Sequence, residues 1–121
     1  MHGGMRNFVL LTAFLALASG LRAAERADLM RGEALVERHC ASCHAVRTTG
    51  VSPDKAAPAF RDLHTRYQID DLAEGLAEGL LTGHPAMPEF RFAPADVTAI
   101  IAYLKSIQTH QDAGSPPAAG R

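Results

Sequence analysis

The clearest hydrophobic pattern lies near the C-terminal end, where Val97, Ile100, Ile101, Leu104 and Ile107 recur at the i, i+3, i+4, i+7 spacing of one helical face. Pro94 stands near the first helical position, where an N–H has no intrahelical acceptor, and Asp96 complements the positive end of the helix dipole. Such a stripe predicts a helix that packs against another helix. A second helix is predicted from Arg26 to about His39, with Leu29, Met30, Leu35 and Val36 on one broad face interrupted by Gly32. Between Asp70 and Leu81 a third helix is predicted: Leu72, Leu76 and Leu80 repeat while Asp71, Glu74 and Glu78 point away, and Gly83 is placed to end it. Gly75 and Gly79 weaken that helix and imply a close approach by backbone or by a bound group. Phe60 to Tyr67 predicts a short helix, whereas Ala45 to Ala59, with Gly50, Pro53 and Pro58, keeps neither period and reads as a long connection. No segment reads as a strand and no repeat is visible, so the pattern predicts an all-α domain.

The two ends read differently from the middle. Arg6, an apolar run from Phe8 to Ala18, and small residues from Ser19-Gly20 to Ala23-Ala24 have the arrangement of an export signal. The chain therefore divides into a signal peptide over 1–23, cut somewhere between 20 and 24, a domain over 24–108, and a tail over 109–121 rich in Ala, Gly, Ser and Pro with no face to bury. The apolar run is shorter than the ~17–25 residues needed to cross a bilayer. Cleavage is expected over anchoring, with no stable membrane insertion afterwards and a periplasmic or otherwise exported location.

With 121 residues, 47% hydrophobic and 21% charged, the composition is that of one ordinary globular core. The formal net charge of −1 conceals an asymmetry, because residues 1–23 carry two arginines and no acid, leaving −3 on the remainder. No basic cluster suggests nucleic acid. No triad, paired-carboxylate signature or phosphate loop suggests substrate chemistry.

The chemistry concentrates in Cys40-Ala41-Ser42-Cys43-His44. Cys-x-x-Cys-His is the attachment pattern of c-type haem: two thiols on one helical turn can each add across a vinyl group, and the histidine then lies under the ring to bind iron from the proximal side. Zinc needs about four ligands, and with only two cysteines it would have to recruit from His39, His44, His64 and His84. A redox dithiol normally follows a strand, whereas the flanks here read as helix. Export also suits thioether attachment, since a free pair outside the reducing cytosol tends to oxidise. A domain this small with long loops needs something to fill its core; a buried haem could do so among Phe60, Tyr67, Phe90 and Phe92, which could equally pack on one another.

Taken in order, a glycine-bearing helix leading into Cys40-Ala41-Ser42-Cys43-His44, the segment Ala57-Pro58-Ala59-Phe60, a glycine followed by Met87-Pro88-Glu89-Phe90, and a last helix with Tyr103-Leu104 resemble the small class I c-type cytochromes of bacteria over Asp28 to about Gln108. The resemblance implies a cytochrome c-like fold of three to five helices with long loops wrapped around one haem c, held covalently through Cys40 and Cys43. It implies His44 as proximal ligand, Met87 as distal ligand, and the Pro58 carbonyl as acceptor for the other ring nitrogen of His44, a bond that orients the ring. Gly32 is expected to let the first helix cross the last near Ile100 to Leu104. Ala57 departs from the glycine that commonly precedes the proline, and Val36 from a frequent aromatic.

A thioether at the distal position favours reduced iron and raises the potential. Met87 lies among Gly83, Pro85 and Pro88, where a loop could wrap across the haem face. The competing readings are an exposed or core methionine, with His84 and, less readily, His64 as iron ligand. His39 reads as a surface or haem-edge residue and Met30 as part of the first helix's apolar face. Asp70, Asp71, Glu74 and Glu78 read as a solvated helix surface, with a docking patch as the alternative. The function implied is a non-enzymatic, monomeric single-electron carrier that docks transiently with redox protein partners in an exported respiratory or dehydrogenase-linked chain. The alternatives are a haem subunit or dedicated partner of a periplasmic oxidoreductase complex, and a ligand-binding or peroxidase-like haem protein with an open distal position.

Overall fold

From Gly3 to Cys40 the chain contains no proline and is rich in alanine and leucine, strong helix formers, and it forms one uninterrupted helix, α1 (Gly3–Cys40). The expected start at Arg26 is therefore replaced: nothing near that residue stops a helix, so the helix runs through the expected cleavage region. The computed structural model describes residues 3–79 and 87–109. Its other regular elements are 3-10 turns at Phe60–Thr65 and Ile69–Asp71, a short α2 (Leu72–Glu78) and α3 (Pro94–Ser106), with no strand among the described residues. The all-α expectation holds. Residues 19–28 of α1 are exposed, and tertiary packing begins at Leu29.

The frame of the domain is the crossing of the last third of α1 with α3. α3 buries Val97, Ile100, Ile101 and Leu104 of the stripe read from the sequence, together with Ala99 and Tyr103, and Ile107 is buried just beyond its end. Among the described side chains of α1, Val36 is the most deeply buried, at 1% exposure. Met30, by contrast, is 67% exposed. It leaves the expected apolar face because two residues separate it from Gly32 at the crossing, about 160° around a 3.6-residue helix. Arg31 and Asp96 close the crossing at the surface with an ion pair of 2.6 Å, and the Tyr103 hydroxyl donates to the Val46 carbonyl at 2.9 Å from within the core.

Gly32 makes this approach possible. A Cβ there would fall on the Ala99 carbonyl oxygen and lie 2.7 Å from both the Ala99 carbonyl carbon and Tyr103 Cβ. The obstruction is mostly backbone, which cannot rotate away as a side-chain tip can. Gly32→Ala is accordingly expected to destabilise the folded protein by at least about 2 kcal/mol through overpacking, read from the urea midpoint; an unchanged midpoint would show that the two helices separate without cost.

α2 is shorter than its leucine repeat suggested. Ile69–Asp71 is a 3-10 turn, and the helix stops at Gly79, whose φ of +98° is a conformation other residues avoid and whose N–H still reaches the Gly75 carbonyl at 2.9 Å. Gly79, not Gly83, ends the element; Leu80, Leu81 and Gly83 lie outside the described residues. A Cβ on Gly79 would meet the Glu89 side chain, so a close approach is present there. Leu72 and Leu76 lean on the core while Asp71, Glu74 and Glu78 face solvent. Thr109, expected to begin the tail, donates through its N–H to the Arg61 carbonyl at 3.0 Å and through its hydroxyl to Asp62 at 3.1 Å, so the body extends at least that far. Residues 110–121 lie outside the described residues.

Candidate functional site

The last turn of α1 continues through the pentapeptide: the N–H groups of Cys43 and His44 both reach the Cys40 carbonyl, at 3.2 and 3.0 Å. Both thiols and the imidazole therefore issue from one turn. The connection that follows is folded back onto this turn by Ala45 N–H to Ser52 Oγ (2.9 Å), Asp54 N–H to the Cys43 carbonyl (3.1 Å) and Phe60 N–H to the Ala45 carbonyl (2.9 Å). Pro58, with no N–H and a fixed φ, sits where this loop presents its carbonyl to His44, 2.8 Å from Nδ1. A carbonyl only accepts, so Nδ1 carries the proton and Nε2 keeps its lone pair. The Phe60 ring rests 4.6 Å from the imidazole and limits its rotation.

Beside this turn lies a cavity of about 310 Å³. His39, Cys40, Ser42, Cys43 and His44 form one wall, Asp54, Ala56, Ala57 and Pro58 a second, and Met87, Pro88 and Phe90 close it from a separate segment. The structure thus gathers Cys40, Cys43, His44, Pro58 and Met87, which are spread over 48 positions of sequence, around one mainly apolar space. Two thiols, an imidazole nitrogen with a free lone pair and a thioether are a soft-to-borderline donor set, and with apolar walls they fit haem c. Burial pushes the Cys40 thiol up to about 11, which keeps it neutral at physiological pH.

The zinc reading finds no ligand cluster: among the described residues no three His, Cys, Asp or Glu side chains converge on a point that could hold an ion. His64 is engaged elsewhere, its Nδ1 3.1 Å from Gln108 Oε1, and His84 lies outside the described residues. His39 was expected at the surface or a haem edge; it lines the cavity and packs edge-on against Phe90 and Phe92. Of the four aromatics read as either surrounding a haem or packing on one another, Phe90 lines the cavity. Phe60 belongs to the core, Phe92 packs against it, and Tyr67 is 47% exposed. Asp54 was not foreseen. Its place on the wall follows from the backbone bond to Cys43, while its carboxylate accepts the Ala56 N–H at 2.9 Å, and nothing local in the sequence signals either. Asp70 and Asp71 of the 3-10 turn and Glu74 and Glu78 of α2 are not among the residues that line the cavity; Asp70 pairs with Lys105 at 2.7 Å.

The family model described as Cytochrome c matches residues 29–108, a span that contains the pentapeptide, the cavity walls and the α1–α3 crossing. No curated protein and no solved structure matches the chain.

Proposed function

The chain belongs to the cytochrome c family, whose members bind haem c covalently and serve haem-based electron transfer, and from that premise we propose that it is a small class I member carrying single electrons between redox proteins, with His44 and Met87 as axial ligands. The observation that carries the reading is the shared cavity: His44 from the end of α1 and Met87 from a distant segment line one apolar space with both cysteines. When bound, haem supplies an iron that changes oxidation state by one electron. The rest of the work belongs to the chain. Cys40 and Cys43 tether the group, and the Pro58 carbonyl holds His44 in the tautomer whose Nε2 can ligate. Met87 supplies a soft second ligand, and Ala56, Ala57, Pro58, Pro88 and Phe90 keep water away. Two side-chain ligands leave no coordination position for a substrate, which favours electron transfer over bond-making chemistry.

Residues 1–23 serve as the export signal in this reading and the domain works outside the cytoplasm, as a monomer meeting partners transiently. No helix among the described residues is long and apolar enough to cross a membrane. Coulomb steering follows from the charge of −3 on residues 24–121. Electron exchange with a basic redox protein should outpace exchange with an acidic one at low salt, and should slow several-fold as ionic strength rises to about 0.15 M, where charges are screened beyond ~8 Å. Stopped-flow reduction of the holoprotein by one partner of each sign measures this. A carrier takes up one electron per haem and binds carbon monoxide poorly when reduced; rapid carbon monoxide binding without exchange with either partner would sink the proposal.

A further inference from the structure

We propose that His39 is a positioning residue that clasps the Met87-bearing segment onto the end of α1 and so keeps the Met87 side of the cavity shut; this rests on the reading of Met87 as an iron ligand. The imidazole of His39, in the last turn of α1, meets the Phe90 ring at 5.7 Å and 66° and the Phe92 ring at 5.4 Å and 75°. Both are edge-to-face contacts, the arrangement that ring quadrupoles favour, and the two phenyl rings stack on each other at 5.8 Å. The three rings form one cluster, and two of them, His39 and Phe90, line the same cavity as Met87.

The segment around Met87 needs such a contact. Residues 87–93 are not helical, so the i→i−4 ladder that fixes a helical side chain is missing there. The segment is tied by the Phe92 N–H to the Leu76 carbonyl at 2.9 Å, while Glu89 and Arg91 pair with each other at the exposed surface, where ion pairs hold weakly. Phe90 is three residues from Met87 and lines the same cavity, so holding its ring in place restrains the short stretch of chain that carries Met87. His39 reaches the segment from the same helical turn that carries the cysteines, and it thereby sets the position of the Met87 wall relative to the Cys40–His44 wall.

The test uses the ferric holoprotein, with two readouts: the rate of cyanide binding to iron and the hydrogen exchange of the Phe92 amide. His39→Ala should accelerate both by about tenfold or more, as loss of two aromatic contacts implies, and His39→Phe, which restores a ring, should return both toward the unmodified values. Phe90→Leu removes one of the two rings that His39 meets; it should reproduce part of the acceleration, and adding His39→Ala should add less than His39→Ala does alone, because only the His39–Phe92 contact is left to lose. The proposal is overturned if His39→Ala leaves both rates unchanged, or if His39→Phe is as fast as His39→Ala. Met87→Ala in the otherwise unmodified protein separates the two readings. If it does not accelerate cyanide binding, the Met87 ligand assignment has failed, and the amide exchange, which does not depend on the iron's ligand, still decides for or against the clasp.

Discussion

Cys40→Ala combined with Cys43→Ala is expected to leave no haem on the polypeptide after denaturation and acid-acetone extraction, where the unmodified exported protein retains all of it. Cysteine thiols forming thioether bonds survive unfolding, whereas axial coordination does not, so retention reports the covalent bonds alone. The two thiols emerge from one helical turn beside a cavity of about 310 Å³, and the chain has no other cysteine to replace them. Each single substitution leaves one attachment point and should keep haem through one bond. Folding should also suffer with the double substitution, because a small domain would be left without the group that fills its apolar space. Haem staining after denaturing electrophoresis gives the answer, and a stained band from the double variant would mean that the pentapeptide is not the attachment site.

Met87→Ala is expected to keep covalent haem, open the iron to cyanide and carbon monoxide, and lower the reduction potential by on the order of 0.1 V, because the soft donor that favours ferrous iron is lost. Met87 lines the cavity together with Pro88 and Phe90, and among the described residues of its segment it is the one sulfur or nitrogen side chain there. His84→Ala should leave spectrum and potential nearly unchanged. Spectra with each ligand and a redox titration of both variants test this. If His84→Ala opens the iron while Met87→Ala does nothing, the ligation is by two histidines and the protein works at lower potential.

Much of the fold was legible because it depends on local chemistry. The Val97–Ile107 stripe specifies a helix and its buried face through a 3.6-residue period that any partner surface would satisfy, and Pro94 marks its start. Element ends were read less well. α1 does not begin at Arg26, since the residues before it are helix formers as well, and α2 stops at Gly79, where φ is +98°, which a leucine repeat does not encode.

The site divides in the same way. Cys40, Cys43 and His44 lie within one helical turn, so their spacing alone determined that two thiols and an imidazole share a surface. What the tertiary structure decided is everything that arrives from elsewhere: the Pro58 carbonyl at His44 Nδ1, Met87 and Asp54 on the cavity wall, and His39 against Phe90 and Phe92. It also removed Met30 and Tyr67 from the interior that their apolar character suggested. Periodicity and motif spacing carry information across a few residues; which surfaces meet is set by the α1–α3 crossing at Gly32 and by loop hydrogen bonds joining residues far apart in the chain, and those contacts exist only once the chain has folded.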